Sequence, residues 1–242
     1  MSSEVVLVTG GARRIGAAIS GHLHAAGMTV VIHYHRSHDD AVALARELAA
    51  RRPGSADVRQ ADLRDNATLA PLIESITDQY GRLDGLINNA STFYPTPLGE
   101  ITESAWDDLV GTNLRAPTFL SQAAAAALRA SEGAIVNLVD IHGWRPLAGF
   151  PVYSTAKAGL DMLTRALARE LGPEVRVNGV APGPILWPET DGVEQTKQQI
   201  IAATALQRAG DPIDVAKTVL FLLRDATYIT GQVIAVDGGR SI

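Results

Sequence analysis

The chain has 242 residues, a formal net charge of −5 and no cysteine. The lack of cysteine excludes disulfide bonds and zinc–thiolate sites and is typical of a reducing compartment. The acidic balance, without a basic stripe, argues against nucleic acid as a partner. The first residues run into an apolar strand without a charged leader or a long hydrophobic stretch, so we expect a cytoplasmic protein and no membrane partner.

Short apolar, β-branched runs alternate with longer helical patterns along the chain. Strands are predicted at 5–9, 29–33, 58–62, 85–88, 134–139, 175–180 and 233–236. Helices are predicted at 15–26, 39–51, 68–80, 104–129, 152–171 and 213–224. This alternation predicts one α/β domain of the Rossmann type, with a doubly wound parallel sheet and a crevice at the carboxyl ends of its strands.

The longest irregular stretch, at 181–192, is rich in proline and glycine and is followed by a polar segment to Gln199. Its length and its position after the sixth predicted strand favour a lid over the crevice, at about 181–200. The alternative is an ordinary surface loop.

A glycine-rich run, TGGARRIG at 9–16, joins the first predicted strand to the first predicted helix. Glycine permits a tight turn, and the free N–H groups at the start of the helix can bind a pyrophosphate. Gly10, Arg14 and Ile15 are therefore candidate dinucleotide contacts. The spacing differs from the common Gly-x-Gly-x-x-Gly, so a purely structural turn is the alternative.

The end of the second predicted strand distinguishes between the two nicotinamide dinucleotides. An NAD site usually has Asp or Glu there, which binds the ribose hydroxyls. This chain has His35, Arg36 and Ser37 instead, which offer a cation and a hydroxyl to a ribose phosphate. The pattern predicts NADPH. Asp39 and Asp40 follow, and they are interpreted as acidic residues at the start of a helix.

Polar residues also follow the third and fourth predicted strands. Asp62 and Leu63 are candidate adenine contacts, and Asn89 and Ala90 are expected on the floor of the crevice. Each is an ordinary strand-end residue when it is considered alone. Together with the glycine turn they fall along one edge of the sheet, which favours a functional role.

Three side chains carry the predicted chemistry. Tyr153 and Lys157 are one helical turn apart, and Asp140 follows the fifth predicted strand. A tyrosine with its ordinary pKa of about 10 is a poor acid–base group at neutral pH, so Lys157 is expected to lower that pKa. Asn113 is a candidate partner of Lys157 through water. The alternatives are a solvent-facing Asn113 and an Asp140 that only bonds local amides.

These motifs resemble the short-chain dehydrogenase/reductase superfamily over essentially the whole chain. The resemblance implies a seven-stranded Rossmann sheet, a homotetramer, and Tyr153 as the acid–base residue supported by Lys157 and Asn113. Two residues depart from the general pattern of the superfamily: Arg14 replaces its middle glycine, and Asp140 replaces a serine.

Both departures resemble the pteridine reductases, a branch that reduces biopterin- and folate-type rings. Three further runs do so as well: HYHRS at 33–37, NNASTFYPTP at 88–97, and YITG at 228–231 followed by VDGG at 236–239. The resemblance implies that Phe93 stacks on the pterin and that Ser91 and Arg14 contact pterin and cofactor phosphate. Trp187 is expected as a pocket wall, whereas a buried anchor of its own loop is the alternative for Phe93.

The extra acid suits a nitrogen heterocycle. Reduction of a ketone needs one proton on oxygen, whereas a pterin is reduced across carbon–nitrogen double bonds, and the proton must reach a ring nitrogen. Asp140 and Tyr153 are two donors that can supply it.

The predicted residues form three sets. The catalytic set is Asp140, Tyr153, Lys157 and Asn113. The NADPH set is Gly10, Arg14, Ile15, His35, Arg36, Ser37, Asp62, Leu63, Asn89, Ala90, Ser91, Tyr153, Lys157, Pro182 and Gly183. The substrate set is Arg14, Ser91, Phe93, Asp140, Tyr153 and Trp187, and no metal site is expected. The alternative functions are a short-chain carbonyl reductase, a dihydromonapterin-type reductase and an NADPH-binding regulatory protein.

Overall fold

The computed structural model describes residues 3–185 and 194–242. Its strands are β1 (Val5–Val8), β2 (Thr29–Tyr34), β3 (Ala56–Gln60), β4 (Gly85–Asn88), β5 (Ala134–Leu138), β6 (Arg176–Pro182) and β7 (Val233–Val236). All pair in parallel in one sheet, in the order β3-β2-β1-β4-β5-β6-β7. The order reverses between β1 and β4, which places a crevice at the carboxyl ends of these two strands.

Helices cover both faces of the sheet. They are α1 (Arg14–Ala25), α2 (His38–Arg51), α3 (Leu69–Tyr80), α4 (Glu103–Val110), α5 (Ala116–Ser131), α6 (Pro151–Leu171), α7 (Glu194–Ala202) and α8 (Pro212–Leu220). None of the helices within 3–185 and 194–242 is long and apolar enough to cross a bilayer.

The two faces of β1 show how the core is divided. Val6 and Val8 pack with α1, α2 and α8 on one side, and Val5 and Leu7 pack with α3, α5 and α6 on the other. This division follows from the alternation of side chains along a strand, and it requires apolar residues at every position of a central strand. The predicted doubly wound α/β fold is therefore confirmed.

Several predicted boundaries were wrong. The helix predicted at 104–129 is two helices, α4 and α5, joined by one turn of π-helix at Gly111–Arg115. The third strand ends at Gln60, so Asp62 lies two residues beyond it. Residues 181–182 extend β6, because Pro182 pairs with Val236, and α7 begins at Glu194. The rest of the predicted lid, at 186–193, lies outside the described residues.

A buried histidine joins the first turn of the fold to the end of β3. His33 Nδ1 accepts the Gly10 N–H at 3.1 Å, so Nε2 carries the proton and donates to the Ala61 carbonyl at 3.2 Å. Burial lowers the pKa of His33 from 6.5 to about 4. The neutral ring is therefore the form that holds the glycine turn in place.

We predict that this histidine makes the protein less stable in mild acid. The unfolded chain binds a proton on His33 below pH 6.5, and the folded chain does so only near pH 4, so stability is lost as the pH falls between these values. The free energy of unfolding should decrease by about 2 kcal/mol between pH 7.5 and 5 from this group alone. Urea titrations of wild type and His33→Asn should differ in this slope, whereas His22→Asn should keep the wild-type slope. Parallel pH profiles for wild type and His33→Asn would contradict the prediction.

Candidate active site

A groove of about 630 Å³ follows the carboxyl ends of β1, β2 and β4 and the loop after β3. Most of the predicted cofactor contacts line it: Gly10, Arg14, Ile15, His35, Arg36, Ser37, Asp62, Leu63, Asn89, Ala90 and Ser91. Pro182 and Gly183 lie instead at the end of β6, where the Gly183 N–H bonds to the Val236 carbonyl. The groove therefore lies where the strand order of the sheet reverses, between β1 and β4.

The glycine turn forms one wall of the groove. Gly10 has a φ of +58°, and a Cβ added to Gly16 would lie 2.1 Å from the Gly10 carbonyl oxygen. Arg13, at the start of α1, makes no capping bond with its side chain. Ile15 and Gly16, in the first turn of α1, line the groove, and the start of a helix is suited to the pyrophosphate of a dinucleotide.

Arg14 occupies a backbone conformation that favours glycine. Its φ is +53°, in the left-handed region. This conformation explains why the superfamily usually has glycine at this position. An arginine here carries a backbone strain of about 1–2 kcal/mol. Such strain at a groove-lining residue indicates that the side chain has a function.

Thr9 is a structural contributor that sequence reasoning missed. Its Oγ1 accepts the N–H groups of Asn89 and Ala90 at 2.9 and 3.0 Å. The Asn89 amide in turn donates to the carbonyls of Thr9 and Gly10. Through these bonds the Asn89 amide holds the glycine turn in place, and the same residue lines the groove. The signal available in the sequence was a threonine immediately before the first glycine.

The far end of the groove presents two unused donors. The Arg36 guanidinium is exposed, and Ser37 precedes α2 without capping it. Within 3–185 and 194–242, neither side chain makes a hydrogen bond or an ion pair. Asp39 and Asp40 lie in the first turn of α2, as predicted, and Asp40 pairs with Arg13 at 3.7 Å.

The predicted reacting groups meet at the carboxyl end of β5. The Tyr153 hydroxyl donates to Asp140 Oδ2 at 2.8 Å, and the other carboxylate oxygen accepts the His142 N–H at 2.8 Å. Lys157 is buried, and its Nζ donates to the Leu138 carbonyl at 2.8 Å. A phenol, a carboxylate and an ammonium thus form one cluster, with the ammonium 5.7 Å from the tyrosine ring centroid.

The expected effect of Lys157 on Tyr153 was wrong. Burial raises the pKa of Tyr153 well above 10, the charge of Asp140 raises it further, and the Ser91 hydroxyl opposes this only in part. The Lys157 ammonium bonds to the carbonyl of Leu138 instead of the phenol, and burial lowers its own pKa to about 8. Tyr153 therefore keeps its proton at neutral pH.

Asn113 lies in the π-helical turn and faces the site. Its Oδ1 accepts the Ser91 hydroxyl at 2.7 Å, and its Nδ2 donates to the carbonyls of Thr92 and Leu109. The solvent-facing alternative is wrong, because only 1% of this residue is exposed. Its direct partners hold the segment after β4 rather than Lys157.

Phe93 presents an exposed aromatic face beside the reacting groups. It is 49% exposed, so the alternative of a buried anchor is wrong. Phe150 stacks behind it at 4.6 Å and 12°, and Tyr153 meets its ring in an edge arrangement at 4.8 Å and 78°. Phe150 was not identified from the sequence. Trp187, the expected pocket wall, lies outside the described residues.

Comparison with known proteins agrees with this geometry. A family model described as enoyl-(acyl carrier protein) reductase matches residues 10–241. Pteridine reductase 1 of Leishmania tarentolae is 40% identical, over 100% of this chain and 97% of the relative. The 3-oxoacyl-(acyl-carrier-protein) reductase of Staphylococcus aureus is 38% identical, over 98% of both chains. This chain belongs to the short-chain dehydrogenase/reductase superfamily.

Membership makes the protein an oxidoreductase that uses a nicotinamide cofactor. The resemblance to the pteridine reductase branch is confirmed by the relative from Leishmania. Ser91 lines the groove and is a hydrogen-bond partner of Tyr153, so the groove and the polar cluster adjoin.

The strain at Arg14 can be measured with two substitutions. At an ordinary helix position alanine is more stable than glycine by about 1 kcal/mol. At Arg14 we predict the reverse, with Arg14→Gly more stable than Arg14→Ala by about 1 kcal/mol, because only glycine adopts the positive φ without strain. Urea denaturation of both variants tests this. At Arg46, in the exposed middle of α2, the alanine variant should be more stable than the glycine variant. If alanine were also the more stable substitution at Arg14, the strain would be refuted.

Proposed function

We propose that this protein is an NADPH-dependent pteridine reductase that acts on dihydropterins and oxidised pterins, with dihydrofolate and folate as further substrates. The observation that carries the proposal is the 2.8 Å hydrogen bond between Tyr153 and Asp140 beside the exposed ring of Phe93. This combination offers two proton donors and a stacking surface at one point of the crevice.

The chemistry follows from the bond that is reduced. The bound cofactor supplies a hydride to carbon, and a proton must be added to the adjacent ring nitrogen. Asp140 in its acid form can donate that proton and takes up another from solvent before the next turnover, while the Tyr153 hydroxyl, which stays protonated, donates a hydrogen bond to the carboxylate that is left. The ammonium of Lys157 favours the negative charge that Asp140 carries after it has donated.

The exposed face of Phe93 suits a flat heteroaromatic ring. Phe150 stacks on the other side of Phe93 and limits its movement. An offset stack of two aromatic rings contributes about 0.5–1.5 kcal/mol beyond the area that it buries. Phe93 would therefore hold a pterin beside Tyr153 and Asp140, with Ser91 and Arg14 at the polar edge of the ring.

NADPH is proposed over NADH because of the unused donors at the end of β2. A ribose phosphate needs a cation and hydrogen-bond donors, which Arg36 and Ser37 offer. His35, 3.7 Å from Asp62, lines the same end of the groove. Arg36 takes the place of the acid that would bind the ribose hydroxyls of NAD.

A second candidate is reduction of a 3-oxoacyl thioester. Its support is the comparable identity, 37–38%, of the staphylococcal 3-oxoacyl-(acyl-carrier-protein) reductases. Its difficulty is Asp140, which stands where the superfamily usually has the serine that polarises a ketone. A dihydromonapterin-type reductase is a narrower form of the leading proposal, because it would use the same groups on another pterin.

We also propose that the protein is a homotetramer. Phe119 on α5 and Met162 on α6 are large apolar side chains with 38% and 63% of their surface exposed. A second copy of the chain would cover these two helices and remove that surface from water.

Asp140→Ser tests the role of the carboxyl. We expect pterin reduction, measured by NADPH absorbance, to fall by about two to four orders of magnitude, the usual effect of losing a proton donor. Asp140→Asn should show the same loss, because an amide keeps the shape but has no acidic proton. Asp78→Ser, at an exposed position of α3 outside the groove, is the control and should retain activity. Undiminished pterin turnover in Asp140→Ser would make Asp140 a structural residue.

Arg36→Asp tests the choice of cofactor. We expect the ratio of kcat/KM with NADPH to kcat/KM with NADH to fall by about 10- to 100-fold, because a charged hydrogen bond to the ribose phosphate is replaced by repulsion. Arg46→Asp makes the same change of charge on the exposed face of α2 and should leave the ratio unchanged. A ratio that Arg36→Asp does not change would refute the assignment.

A further inference from the structure

Arg64 connects two separate elements that line the groove. Its guanidinium bonds to Asp62 through Nε at 3.1 Å and Nη2 at 2.9 Å. Its Nη1 bonds to Asp108 Oδ1 at 3.2 Å. Asp62 lies in the loop after β3 and Asp108 lies on α4, so one side chain joins these two elements, and all three residues line the groove.

The connection continues to the aromatic loop. The second oxygen of Asp108 accepts the Tyr94 hydroxyl at 3.1 Å. Tyr94 directly follows Phe93, the residue that presents its ring to the proposed substrate. A continuous chain of hydrogen bonds therefore runs from Asp62 through Arg64 and Asp108 to the neighbour of Phe93.

A second route runs through the backbone of the same residue. Arg115 donates from Nη2 to the Arg64 carbonyl at 2.6 Å. Arg115 ends the π-helical turn, Gly111–Arg115, which also holds Asn113. Asn113 donates to the Thr92 carbonyl, so this backbone contact positions Thr92 and is kept when only the Arg64 side chain is changed; the coupling proposed below runs through the side chain.

Stability alone does not explain this network. The side chains of Arg64, Asp62 and Asp108 are 41%, 33% and 24% exposed. Ion pairs with this exposure contribute at most about 1 kcal/mol each, because solvent screens them. Their more specific effect is to fix the position of the loop after β3 relative to α4.

We propose that Arg64 is a positioning residue that couples occupancy of the adenosine end of the groove to the placement of Phe93. A dinucleotide bound against Asp62 and Leu63 holds the loop after β3, and Arg64 then holds Asp108, which orients Tyr94 and the ring beside it. The inference rests on the proposed function for the identity of the two ligands.

Hydrogen exchange measured by mass spectrometry with NADP⁺ tests the coupling without turnover. In wild type we expect NADP⁺ to slow exchange at residues 10–16 and at the amides of Phe93 and Tyr94. In Arg64→Met and in Tyr94→Phe, which break the chain at opposite ends, the first effect should remain. The second should fall by about fivefold or more, the size of a modest coupling energy. Unchanged protection of Phe93 in Arg64→Met would overturn the proposal.

The chain offers a matched control. Arg59 pairs with Asp57 at 2.7 Å, two residues away on the edge strand β3 and outside the groove. Arg59→Met removes the same charge and should leave both protection effects at their wild-type size. Arg64→Lys should recover only part of the effect on Phe93, because a single ammonium cannot replace the paired bonds of a guanidinium.

Kinetics give a second readout that separates this inference from the proposed function. With a dihydropterin and NADPH, Arg64→Met should raise the KM for the pterin by about fivefold or more, with kcat within about threefold of wild type. If wild type reduces no pterin while NADP⁺ still protects Phe93 through Arg64, the proposed function fails and the coupling stands. If NADP⁺ protects the glycine turn of wild type but not Phe93, the coupling fails and the proposed reaction is untouched.

Discussion

The hydrogen bond from Tyr153 to Asp140 is the interaction on which the site depends. It exists because β5 delivers a carboxylate to the crevice and α6 delivers a phenol to the same point. Burial and the nearby carboxylate keep the phenol protonated, while Lys157 is held by a backbone carbonyl. In the proposed reaction this pair supplies protons beside an exposed aromatic ring, and the surrounding residues would position a cofactor and a flat substrate around it.

The fold was readable from the sequence because each central strand is apolar on both faces and the helices that cover the sheet have an apolar stripe, whereas the polar α7 was not predicted. The site was largely readable as well, since Asp62, Asn89 and Asp140 each follow a strand of a parallel sheet, where such crevices form. The upward shift of the Tyr153 pKa was not, because it depends on the burial of the phenol and on its contact with Asp140, which only the folded structure shows. The π-helical turn at Asn113 and the bonds of Arg64 depend on tertiary contacts between distant segments, which periodicity does not encode.

Overall identity does not decide between a pterin and a ketone. The relatives named for these two substrates are 40% and 38% identical to this chain, and both align over nearly its full length. The distinction lies in a few side chains: Asp140 in place of a serine, an exposed Phe93, and Arg14 in a conformation that costs stability. A strained backbone at a residue beside the groove supports a role of its side chain in binding.

The most direct measurement of this account is the substrate preference of the wild-type protein. With NADPH in excess, kcat/KM should be compared for a dihydropterin and for a 3-oxoacyl thioester in the same buffer. We expect the dihydropterin to be preferred by at least about 100-fold, because the site pairs an acid with a ring nitrogen. Efficient reduction of the thioester without turnover of the pterin would contradict the central role assigned to Asp140.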